Sequence, residues 1–218
     1  LGKFRFNSIL EKIFSGKLLT EEDRIWAEQV VAFKEATSGQ IRAYEIATKP
    51  GFDLKQSLFS TIEKLEELLK RCPQEGLNMC PAPNKWSVHQ IIGHLADNEV
   101  CNSVRVRCIL TEDCPNLVGY DSDDWERWFR LDDVWTCFAR FKRERMNLLS
   151  LLDTLHEEEW NRIGYLDYRG NEQLRVLLGV LAGHDENHIN QMKRTIEYVE
   201  RALDVNITTE KISERGLI

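Results

Sequence analysis

From Glu172 to Leu203 the chain contains no proline, and its apolar residues return every three or four positions. A helix advances about 100° per residue, which puts Leu174, Leu177, Leu181, Met192, Thr195 and Val199 in one band about 60° wide. Such a stripe predicts a long amphipathic helix that other elements must cover. The same spacing predicts helices over roughly residues 54–72, 87–110 and 131–153. The first carries Leu54, Leu58, Ile62, Leu65 and Leu69. The second opens with Ser87 as N-cap and continues through Val88, Ile91, Ile92 and Leu95. The third presents Val134, Phe138, Phe141, Leu148 and Leu152, with Arg145 interrupting the stripe. Three of the five prolines, Pro81, Pro83 and Pro115, fall between these segments, and no long run alternates as a strand would. Four long amphipathic helices predict an all-α chain built as a four-helix bundle.

The bundle is expected over residues 51–205, followed by a C-terminal tail over 206–218. Residues 1–50 read as a helical N-terminal extension of one or two helices. Thr20-Glu21-Glu22-Asp23 predicts a capping box for a helix to about Thr37, and Phe4, Phe6, Ile9, Leu10, Ile13 and Phe14 predict a shorter helix before it. Those apolar residues need cover from the bundle or from another subunit.

A formal charge of −7 argues against a nucleic-acid backbone as the main partner. No apolar run reaches the roughly 18–20 residues that cross a bilayer, and LGKFRFNSIL lacks the core of a signal peptide, so no membrane partner and a cytosolic location are expected. The six cysteines form no C-x-x-C pair and read as reduced thiols.

Chemistry concentrates in the stretch LAGHDENHINQM. His184 and His188 stand four apart on one helical face; His188 lies inside the apolar band, His184 at its edge, and Asp185 flanks the other side. Buried polar groups need partners, each costing about 1–3 kcal/mol without one. Two imidazoles one turn apart are a common metal-binding arrangement, and His94, in GHLADNE on the second helix, is the best third ligand. Hydrogen-bonded core histidines remain the alternative from spacing alone. Asp185 occupies the position of the glutamate in H-E-x-x-H, too short to act equivalently, so no peptidase mechanism is offered.

Asp185 and Asp97 are weak candidates for a catalytic role, and Asp97 and Asn98 are placed to orient an imidazole. His89 faces away from His94, and His156 is expected at the end of the third helix as a surface or dipole-compensating residue. Arg145 is expected to snorkel at the bundle end or, if it points inward, to attract an anion. The acidic DSDDW segment lacks the glycine and terminal glutamate of a calcium loop; Asp121 to Asp124 are expected to cap a helix entering Trp125. Trp125, Trp128 and Trp135 read as packing residues.

NKWSVHQIIGHLADNEV, RVRCILTEDCPNLVGYDSDDWERW and HDENH, in that order, resemble the signature segments of the DinB superfamily, and more closely its YfiT-like and bacillithiol-transferase-like branch. The resemblance covers about residues 54–203 and implies a four-helix bundle with one divalent transition metal, zinc or nickel, on His94, His184 and His188. It further implies a metal-dependent transferase that activates a low-molecular-weight thiol, or water, for attack on a small electrophile, and a homodimer. The alternatives are a metal-dependent hydrolase or a non-catalytic, metal-stabilised helical module in stress response or assembly. Residues 1–50 have no counterpart in the resemblance, and the acidic Asp185-Glu186 pair departs from it.

Overall fold

The computed structural model describes residues 2–33, 38–47, 52–120, 122–167 and 169–214. The bundle consists of α4 (Leu54–Arg71), α5 (Val88–Thr111), α7 (Val134–Leu152) and α9 (Leu174–Glu214). Short helices α6 (Ser122–Trp125) and α8 (Glu157–Trp160) lie in the connections on either side of α7. Local chemistry sets the helix starts. Asp53 accepts from the Gln56 backbone N–H, and Ser87 and Gln90 cap α5 reciprocally, as the sequence predicts for Ser87. Asp133 accepts from the backbone N–H groups of Trp135 and Thr136, so α7 begins at Val134 rather than 131.

Two apolar clusters fill the bundle, one above the other. The first includes Ile62, Leu65, Ile91, Leu95, Phe138, Phe141, Ile189 and Met192. The second includes Leu58, Val106, Ile109, Leu148, Leu152, Leu174, Leu177 and Leu181. Between them, Glu99 on α5, Arg145 on α7 and Asp185 on α9 form a buried polar layer.

Among its described residues the extension contains three helices where one or two were expected: α1 (Gly2–Phe14), α2 (Glu21–Phe33) and α3 (Ser38–Ala47). Thr20 and Asp23 form the predicted capping box, with the Asp23 N–H donating to Thr20 Oγ1 and the Thr20 N–H to Asp23 Oδ2. The expected continuation of α2 to Thr37 falls outside the described residues. Phe6, Ile9, Leu10, Ala27, Val30 and Ala43 pack with Val176 and Val180, so α9 itself covers the extension's apolar face. Gly179 permits this approach: a Cβ there would stand 2.0 Å from the Phe14 ring.

Two features depart from the sequence reading. The Gly-containing stretch after α8 is an antiparallel hairpin of β1 (Ile163–Leu166) and β2 (Gly170–Gln173), paired from Ile163↔Gln173 to Leu166↔Gly170. The loop after α5 joins it through the Leu117 N–H to the Tyr165 carbonyl and the Tyr165 N–H to the Pro115 carbonyl, each 2.8 Å. Helix α9 also continues past Leu203 to Glu214, into the segment expected as a tail, because no proline or glycine interrupts it before Gly216. No helix among the described residues is long and apolar enough to cross a membrane. All six cysteines are free thiols.

Candidate metal centre

His94 projects from α5 and His184 and His188 from consecutive turns of α9. Their side chains meet above the buried layer. His184 Nε2 lies 3.0 Å from His94 Nε2 and 3.1 Å from His188 Nε2, and the three candidate ligand atoms all lie within 4.8 Å of one another. Trp86 walls one side, stacked on His188 with centroids 5.9 Å apart and planes at 9°, and Phe129 packs edge-on against His94. Gly93, next to His94, lets the Phe129 backbone in: a Cβ there would stand 2.0 Å from the Phe129 carbonyl oxygen.

The second nitrogen of each ring decides what the first offers. His188 Nδ1 donates to Gln191 Oε1 at 2.8 Å, which leaves Nε2 with a lone pair aimed at the cluster. His184 Nδ1 lies 3.4 Å from Asn98 Nδ2 and 4.0 Å from Asp185 Oδ1, and His94 Nδ1 is buried with no hydrogen-bond partner. Burial, with His184 and His188 adding to it, pushes His94 far below the ordinary histidine range. Burial and then His184 push His188 down to about 3, against the pull of Gln191. Neutral rings that converge at these distances offer lone pairs to a common cation. Nitrogens on a tetrahedral ion stand about 3.3 Å apart, close to the spacing here, so the residues present fit a divalent metal.

The expected orienting residues separate. Asn98 meets His184 as expected, and its Oδ1 accepts from Tyr120 Oη at 3.0 Å and Asn102 Nδ2 at 3.1 Å. Asp97 instead pairs with Arg140 at 2.8 Å and lines a different pocket, with Trp125 and Trp128. Asp185 is fully buried, with Oδ2 accepting from Arg145 Nη1 at 2.6 Å and Oδ1 left without a hydrogen-bond partner. Burial pushes its carboxyl up, but Arg145 and His184 together outweigh burial and hold it below the ordinary carboxylate range.

Arg145 neither snorkels nor faces an open site. It is 0 % exposed in the middle of α7, forked onto Glu99 at 2.8 and 2.7 Å and bound to Asp185 and the Leu58 carbonyl. Glu99 was missed by the sequence reading. Its signal was a lone acid in the α5 stripe at the height where the α7 stripe has its lone arginine.

The other candidates have structural roles. His89 is buried between Asn78 Oδ1 and the Asp132 carbonyl. His156 opens α8, its backbone N–H donating to Glu159, rather than ending α7. Trp125 stacks on Tyr120 and Trp135 meets Phe138 edge-on, although all three indoles keep an exposed face. Asp121, an expected helix cap, lies outside the described residues.

Two cavities reach the histidines. A smaller one, about 190 Å³, is lined by His94, His184, Asn98, Asn102, Arg105 and Tyr120, among others. A larger groove of about 660 Å³ runs past Trp86, His184, His188, Gln191 and Arg194. His184 borders both.

The family model of the DinB superfamily matches residues 58–192, which include all three histidines. The chain belongs to the DinB superfamily. Among DinB relatives, a protein of Oceanobacillus iheyensis is 25% identical over 133 residues, covering 59% of this chain and 77% of the relative. YfiT of Bacillus subtilis is 29% identical over 110 residues, covering 48% of this chain and 60% of the relative. Both are named, provisionally, as metal-dependent hydrolases. A solved structure of Bacillus subtilis YfiT, described as a probable metal-dependent hydrolase with an unusual four-helix bundle topology, superposes with a TM-score of 0.62 at 22% identity. The superposition covers 72% of this chain and 92% of that one, and it establishes the DinB-type bundle fold.

Proposed function

We propose that the protein is a divalent-metal enzyme that transfers a low-molecular-weight thiol to a small electrophile, with His94, His184 and His188 as the metal ligands. The observation that carries this reading is the convergence of three Nε2 atoms at a point bordered by two cavities, which gives two reactants separate approaches to one centre. A metal held there supplies Lewis acidity that makes a thiol, or water, nucleophilic at neutral pH. Gln191 fixes the tautomer of His188, Asn98 and Asp185 flank Nδ1 of His184, and Trp86 and Phe129 pack against the rings of His188 and His94 and hold their orientation. Zinc and nickel suit three neutral imidazoles. The same reading includes a cytosolic homodimer, checked by fractionation and light scattering.

Elemental analysis of protein purified without an affinity tag should find one divalent ion per chain. Conjugation across a panel of small thiols and electrophiles should vanish on chelation and return with added metal. Undiminished conjugation by chelated protein overturns the transferase reading. Hydrolysis is the second reading, favoured by the names of the relatives. It requires metal-dependent cleavage of esters or amides with no thiol present.

A further inference from the structure

The smaller cavity is lined by a guanidinium that no carboxylate of the described residues pairs with. Arg105 is 5% exposed, and its guanidinium donates to the Val118 carbonyl from Nε at 2.9 Å and Nη2 at 2.6 Å, and from Nη1 to Asn102 Oδ1 at 3.4 Å. All of these acceptors are neutral. Among the described residues no carboxylate forms an ion pair with Arg105, whereas buried Arg145 has two and Arg169, which lines the same cavity, has Glu172 at 2.7 Å. A buried cation without a counter-ion is costly, and these contacts leave one N–H on each terminal nitrogen for a planar acceptor.

We propose that this cavity is a subsite for the carboxylate of a small organic acid, gripped by Arg105 with Arg169 beside it, while the rest of the molecule extends to the histidines. Several features converge on this ligand. Side chains on a helix lean towards its N-terminus, so Arg105 reaches back along α5 in the direction of His94. A hydrogen-bonded string runs from Arg105 through Asn102 to Asn98, whose side chain ends 3.4 Å from His184, so a polar wall joins the two ends. The α5 loop and the hairpin, tied together at Tyr165, bring Tyr120 and Arg169 to the same space. A volume of about 190 Å³ sets the size, since a cavity of about 150 Å³ accommodates benzene. Among the described residues Glu172 offsets one of the two guanidinium charges, and one net positive charge matches a monoanion better than a phosphate dianion. The placement of the reacting end rests on the histidines being the metal centre; the anion grip does not.

The test is calorimetric titration with propionate and benzoate, each against its neutral amide, and with inorganic phosphate. Each is run on metal-loaded protein, chelated protein and the His94→Ala variant, because a carboxylate can also bind a metal directly. At least one acid should bind in all three, at least about tenfold more tightly than its amide. Arg105→Gln should weaken it by a similar factor, and Arg105→Lys should recover part of the loss. Equal binding of acid and amide to the unmodified chain overturns the proposal and needs no variant to fold. So does unchanged binding in folded Arg105→Gln, or binding of phosphate alone. Acid binding that persists in chelated protein with no metal-dependent activity keeps the subsite and removes the catalytic reading instead.

Discussion

Asp185 follows His184 directly, yet its carboxylate is given to Arg145, and only the unpartnered Oδ1 turns towards the imidazole at 4.0 Å. That distance is too long for a hydrogen bond, so Asp185 acts on His184 as a nearby fixed charge. Asp185→Asn should lower metal affinity by about 10–100-fold while the chain stays folded, read by competition with a metal indicator. Arg145 carries a different load. Arg145→Met strands Glu99 and Asp185 without their cation and should cost about 3–5 kcal/mol in denaturant unfolding. A loss under 1 kcal/mol would mean that the layer is not closed as described. The histidines were legible in the sequence because i,i+4 spacing survives any bundle geometry. The partners of Asp185 were not, since which of three stripes meet at one height depends on helix register, which no single stripe records.

Helix starts were the best-read features, because a cap is chemistry within four residues of chain. Ser87 and the Thr20–Asp23 box stand where predicted. The hairpin was illegible: four-residue strands contain too few alternations to separate from a loop, and their pairing with Pro115 and Leu117 is remote in sequence. The extension is a separate case, since its apolar residues announced a need for cover without naming α9. The joint between α1 and α2 inside the extension should depend on pH. The ion pair and hydrogen bond from Lys12 at 2.6 Å, with the Thr20 cap, bring Asp23 from 3.8 to about 2. A lowered carboxyl adds stability that is complete above its ordinary value and is lost as pH falls through the folded one. The difference in melting temperature between the wild type and Asp23→Asn should therefore be nearly constant above about pH 4.5, shrink as pH falls through about 2 and vanish only below it. Gly93→Ala should disturb both α5 and the turn at Phe129, costing at least about 1–3 kcal/mol and loosening His94, seen as weaker metal retention.

The bundle is stapled at one level by the histidines of α5 and α9 and closed at the next by the Glu99–Arg145–Asp185 layer, between two apolar halves. Metal loading should raise unfolding free energy by about 2.7 kcal/mol at a hundredfold excess over its dissociation constant, with amide exchange slowing first along α5 and α9. The acidic pair inside HDENH gains meaning from its surroundings. Asp185 serves the interior, whereas Glu186 turns outward to Lys64 of α4 at 3.8 Å and Arg42 of the extension at 3.6 Å. Five residues of α9 thus carry two of the proposed ligands, one end of the internal ion pair and a tether of the extension. The added segment is tied to the motif it lies against: neutralise Glu186 and the extension loses an anchor, or remove the extension and Glu186 loses Arg42 and keeps Lys64. The extension and the histidine motif therefore share one joint, and Glu186→Gln should loosen α3 from α9, read as faster amide exchange in α3.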